Sequence, residues 1–141
     1  MVDDTLVIHR EDETVLERVT GALWALCTLK EELALTSEMT SSIGLIVGAM
    51  NRFPTRVGLQ INCIGLLGVM ANDVMNFVND ELVIALVSFL ELDVGNDDKA
   101  VISTDTAVNI ILVISNKGYT AGELLLLLIC CTHHLNNYSN H

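Results

Sequence analysis

The sequence predicts an all-α chain folded as an α-solenoid of about three stacked units. Three observations predict it. The core must be aliphatic, because 51% of the chain is hydrophobic while aromatics make up only 4%. A single proline, Pro54, leaves room for long uninterrupted helices. Apolar residues also recur at helical spacing, in segments that themselves return about every 39 to 44 residues, the period range of repeat architectures.

The first kind of helix is read from "SSIGLIVGAMNRFP" (41–54), "DELVIALVSFLELD" (80–93) and "GELLLLLICCTHHL" (122–135). With Ile43, Leu82 and Leu124 superposed, Ile46, Ala85 and Leu127 coincide, as do Val47, Leu86 and Leu128. A turn later come Met50, Phe89 and Cys131, then Phe53, Leu92 and His134. The pattern i, i+3, i+4, i+7, i+10 is one face of an α-helix.

The second kind follows in "LERVTGALWALCTLK" (16–30), "VGLQINCIGLLGVMA" (57–71) and "VISTDTAVNIILVIS" (101–115). Here Leu16, Val57 and Val101 align, followed by Leu23, Ile64 and Val108, then Leu26, Leu67 and Ile111, then Leu29, Met70 and Ile114. Ala22, Cys63 and Ala107 share one small position, where a neighbouring helix can approach closely. Gly44, Gly48, Gly65 and Gly68 cost helix propensity of about 1 kcal/mol each and are expected at close helix contacts as well.

The connections complete the unit. "RFPTR" is a short loop; "DVGNDDKA" is longer and supplies Gly, Asn and Asp for turns. "EELALTSEM", "NDVMNFVN" and "NKGYTA" each leave room for one helical turn or a short helix. The chain is expected to be a single domain, 1–141, with repeat parts at about 1–30, 31–71, 72–116 and 117–141.

A short helix followed by two longer ones, repeated at roughly 42 residues, resembles an armadillo unit. "GALWALCTL" is similar to the "GALWALxNL" signature of the third armadillo helix, and "GLIVGAMNRFPTRVGLQINCIGLLGVMA" carries the "AM-x-x-x-P" ending of a second helix with a Gln early in the third. The resemblance covers about residues 12–135. It implies a right-handed α-solenoid of about three armadillo-like repeats. HEAT-like helix pairs fit the same description, and an unrelated helical bundle is the rival fold.

The resemblance also implies a function. Third helices of armadillo arrays line a concave groove that holds a peptide or protein partner, so the chain reads as an interaction module, a scaffold or adaptor. The positions pointing away from the aligned apolar set are Glu17, Gly21, Trp24 and Thr28, then Gly58, Asn62, Gly65 and Val69, then Asp105, Thr106, Asn109 and Val113. Nuclear-import receptors of this family pair a Trp with an Asn one turn later to clamp basic peptides. This chain departs from that ladder: Thr28, Val69 and Val113 stand where Asn would, and Gly65 and Asn109 stand where Trp would. Nuclear-signal recognition is not implied. Trp24 reads equally as a binding anchor and as packing against a neighbouring helix.

Charge narrows the partners. The net charge of −11 leaves nothing to neutralise phosphates and argues against nucleic acid. It suits plain solubility or a basic partner. The opening "MVDDTLVIHRED" is acidic where a signal peptide is basic, so the four cysteines are expected reduced, in the cytoplasm or the nucleus.

"GELLLLLICCTHH" (122–134) tests three other readings. Its apolar run, Leu124 to Cys131, falls far short of the ~20 residues that cross a bilayer, so no membrane partner is expected. Cys130 and His134 lie one turn apart, but a closed zinc site needs four ligands, and Cys27 and Cys63 sit on other helices. No metal, cofactor or catalytic residue is expected, since no cysteine has an activating base and no glycine loop cradles a phosphate. Leu125, Leu126 and Ile129 lie off the core face. They are expected to stack on further repeats of a longer protein or on a second copy of the chain, the alternative function being a structural or oligomerisation segment.

Overall fold

A computed structural model of the chain describes residues 2–30 and 42–116. All regular structure among the described residues is helical. The elements are α1 (Val2–Ile8), α2 (Glu13–Lys30), α3 (Ile43–Arg52), α4 (Val57–Val69), the short α5 (Ala71–Val74) running into a 3-10 turn (Met75–Phe77), α6 (Asp80–Glu91) and α7 (Asp98–Asn116).

Local chemistry sets most of these boundaries. Asp12 Oδ1 accepts from the Val15 amide at 3.1 Å, Asn79 Oδ1 from Leu82 at 2.9 Å and Asp97 Oδ1 from Ala100 at 2.8 Å, so α2, α6 and α7 each start on a side-chain cap. Acidic residues follow in each first turn, where they complement the helix dipole. Pro54 closes off α3, whose final carbonyls are capped from a distance: Gln60 Nε2 of α4 donates to Met50 O at 2.8 Å and to Phe53 O at 3.0 Å. The α6–α7 loop turns at Gly95, whose φ of 82° a side chain would resist.

The helices pack in two rows. In one, α4 lies between α2 and α7; in the other, α3 lies between α1 and α6, and α3 and α6 pack beneath α4 and α7 respectively. Glu17 meets Gly58, Gly21 meets Asn62 and Trp24 meets Gly65, so the contacts advance together along both chains and α2 and α4 run parallel.

The first kind of helix packs as its periodicity predicts. Ile43, Ile46, Val47 and Met50 of α3, and Leu82, Ala85, Leu86 and Phe89 of α6, are all buried. Each large side chain among them contributes about 1.5–3 kcal/mol relative to exposure. "NDVMNFVN" holds α5 and the 3-10 turn. The N-terminal stretch, read from sequence only as acidic surface, instead forms α1, whose Leu6 is buried against the α3 row.

The second kind of helix corrects the alignment. Val101 and Val108, expected in the core, are 48% and 41% exposed, and Leu26 is 44% exposed. The buried stripe of α7 is Ala100, Ser103, Ala107, Ile110 and Ile114: Ala107 and Ile114 are buried as aligned, while Ala100, Ala107 and Ile110 stand one residue, about 100°, before Val101, Val108 and Ile111. Ala22 is exposed, whereas its counterparts Cys63 and Ala107 are buried. The reason is position: α4 is enclosed by neighbours, while α2 and α7 flank it and bury narrower stripes. Gly48 also departs from expectation, for nothing lies within 4 Å of where its Cβ would stand.

Candidate functional site

The row α2, α4, α7 carries a surface cavity of about 460 Å³. Trp24 of α2 forms one wall; Gly65, Gly68 and Val69 of α4 form the floor. Ile102, Thr106, Asn109, Ile110 and Val113 of α7 form the other wall, and Ala71 and Met75 close one end. Six of the twelve expected groove positions thus meet around one concavity: Trp24, Gly65, Val69, Thr106, Asn109 and Val113.

Its shape follows from two glycines. A Cβ at Gly65 would enter the Trp24 indole, so the bare backbone of α4 is what lets the ring lie down. At Gly68 a Cβ would stand 2.6 Å from the Thr106 methyl. Trp24 is half-buried: it packs against α4 and also lines the cavity, combining both readings of it.

The remaining expected groove residues serve other ends. Glu17 Oε1 accepts from Arg56 Nε at 3.0 Å, and Arg56 also reaches Glu13 at 3.3 Å. The Glu17 hydrogen bond, ahead of the other influences, raises the Arg56 pKa above its ordinary value, so this cation is permanent. Asn62 is buried, and its Nδ2 donates to the Glu17 backbone carbonyl at 2.8 Å. Its amide also faces Gly21, where a Cβ would lie 3.1 Å from that nitrogen. Glu17, Gly21 and Asn62 therefore form the α2/α4 seam rather than open groove. Thr28 is exposed and donates to the Trp24 carbonyl at 2.9 Å. Asp105 is exposed at the cavity margin, three residues after Ile102 and four before Asn109.

Sequence reasoning did not place Gly68, Ala71, Met75, Ile102 or Ile110 in the groove. Ile102 was legible in principle, being seven residues before Asn109 and so on its stripe. Met75 comes from a 3-10 turn that has no apolar period to read.

Neither of the two described thiols is activated as a nucleophile. Cys27 and Cys63 are buried and form no disulfide, and desolvation pushes both pKa values up, very strongly for Cys63. Among the described residues no three His, Cys, Asp or Glu side chains gather as a metal site. No described helix is long and apolar enough to cross a membrane. Cys130, Cys131, His134 and the expected stacking residues Leu125, Leu126 and Ile129 lie outside the described residues.

Two other surfaces are notable. The outer side of α7 exposes Val101, Val108 and Leu112, a stripe at i, i+7, i+11. The α3/α6 row carries a shallower concavity lined by Gly48, Asn51, Pro54, Glu81, Ile84 and Ser88. No protein-family model, curated protein or solved structure matches this chain.

Proposed function

We propose that the chain is a protein–protein interaction module, an armadillo-like α-solenoid that acts as scaffold or adaptor. On this reading it holds a peptide or protein partner on the face lined by α2, α4 and α7. The cavity beside Trp24 carries the reading, since a concave, mainly apolar site with a few polar groups is the usual form of a ligand pocket. Support for the solenoid comes from the two helix rows, the parallel α2/α4 pairing and the matching core faces of α3 and α6. The reading is of a binding protein and not of an enzyme.

A pull-down from cell extract tests it, comparing the wild type with a Val69→Gln, Val113→Gln double variant. Both valines are at the cavity and exposed, at 37% and 41%, so the variant keeps its helical content. Loss of a captured protein in the variant is the expected result; capture that ignores the substitutions, or no capture by the wild type, overturns the reading. Trp24→Ala is a poorer instrument, because Trp24 also packs against α4.

The α7 stripe of Val101, Val108 and Leu112 favours a second reading, a structural segment that stacks on further repeats or on its own copy. Light scattering after size exclusion discriminates: a concentration-dependent dimer that Leu112→Gln dissolves supports stacking.

A further inference from the structure

The walls of the cavity say what it admits. Its polar side chains are Asn109 and Thr106, and the Thr106 hydroxyl already donates to Ile102 O at 2.8 Å. Among the described residues no charged side chain lines it, so a lysine or carboxylate pushed inside would lose water without gaining a counter-charge from them. An aliphatic, thioether or aromatic side chain would instead gain contact with Trp24, Val69, Met75, Ile102 and Val113.

The margin has the opposite character. Asp98 and Asp105 are exposed and stand four residues before and three after Ile102, on the cavity side of α7. Lys99, three residues before Ile102 and seven before Thr106, lies on that side as well and is the one cation of the helix. Arg10 and Arg52 are engaged with Glu11, and Arg56 with Glu13 and Glu17, while Arg18 is exposed on α2, six residues before Trp24. With two acids to one cation on this margin, in a chain of net charge −11, the rim carries a net negative charge.

Resting on the interaction-module reading, we propose that the occupant is one large apolar side chain of a partner segment, flanked by a basic residue. The apolar group, of leucine, methionine or phenylalanine size, lies against Trp24. The basic group stays in solvent opposite Asp98 and Asp105, where it steers approach and excludes acidic segments.

Trp24 is the chain's single tryptophan and lines the cavity, so its emission reports occupancy. The test titrates the full chain with three acetylated, amidated pentapeptides with glycine at both ends. Their central triplets are Lys-Leu-Lys, Lys-Ser-Lys and Glu-Leu-Glu. The proposal expects saturable change with the first, about tenfold or more weaker binding of the serine peptide, and weaker binding still of the acidic one. The Val69→Gln, Val113→Gln variant, neutral in charge, should lose the response. Asp105→Lys should weaken the lysine peptide about two- to fivefold at low salt and improve the acidic one. Equal response to all three peptides, no response to any, or a response that survives the double variant overturns the occupant. The two readings fail apart. A protein captured through this face with no selective peptide response overturns the occupant alone; a wild type that captures no protein overturns the module on its own readout.

Discussion

Helix α4 and helix α7 occupy the same row and are both rich in aliphatic residues, yet they live in opposite environments. Residues 59–67 of α4 are buried without interruption, and the helix carries no charge. In α7 only every third or fourth residue is buried, while Val101, Ile102, Val108, Leu112 and Val113 are exposed. What differs is the number of neighbours among the described residues. A helix enclosed on several sides turns even Gln60 and Asn62 into internal hydrogen-bond donors, each with a carbonyl partner. A helix packed on one side leaves valines and leucines in water, and such surface is where further contacts form.

The contrast is broken most severely by equal truncations in the two helices. Leu67→Ala removes a side chain of zero exposure and should cost about 2–5 kcal/mol in urea unfolding. Leu112→Ala, at 55% exposure, should stay within about 0.5 kcal/mol. Similar losses at both would mean that α7 is covered as fully as α4.

Gly65→Ala comes next. The added methyl collides with the Trp24 indole, and the expected cost is about 1–3 kcal/mol with a red shift of Trp24 emission as the ring lifts. Asn109→Ala, across the cavity, should leave both nearly unchanged. A smaller effect follows from Gln60→Met, which removes the side-chain donor to the Met50 and Phe53 carbonyls, the second still accepting from the Arg56 amide, and should cost about 1–2 kcal/mol.

The smallest effect is in pH. Burial keeps Cys63 protonated in the folded chain, whereas in the unfolded chain the thiol ionises as pH passes its ordinary value of 9.0. Below that pH both states hold the proton and the thiol adds no pH dependence. Above it the unfolded state releases protons and is favoured, so stability should fall by roughly 1 kcal/mol per pH unit. Cys63→Ala should flatten that slope in urea midpoints measured across the alkaline range. Peptide-resolved alkylation of the native chain should leave Cys63 unlabelled.

The two rows also explain what the sequence could tell. The faces of α3 and α6 were legible because each helix buries a single side, so the period of 3.6 survives in the residues. On α4 that period vanishes, since apolar residues occupy every face, and its register could not be fixed from pattern alone. On α7 two apolar stripes lie side by side, and the exposed one, Val101 and Val108, was mistaken for the buried one. Helix α1 was missed because its apolar residues, Val2 and then Leu6, Val7 and Ile8 in a row, draw no helical stripe in so short a segment. The site was half legible. Trp24, Gly65, Val69 and Asn109 fell out of helical spacing, but Asn62 and Glu17 share that spacing and are spent on the seam. Which polar residue faces a neighbour is decided by packing across 39 to 45 residues of chain, as in the Arg56–Glu17 and Asn62–Glu17 bonds.

The most direct test of the interaction face is position-resolved photocrosslinking in cell extract. A photoreactive phenylalanine analogue at Val113 sits at the cavity of the α2/α4/α7 row; the same group at Ile84, 56% exposed, sits on the α3/α6 row. Covalent adducts with a partner protein from position 113 and none from position 84 are the predicted result. Adducts from position 84 alone, or from neither, would contradict the assignment of the binding face.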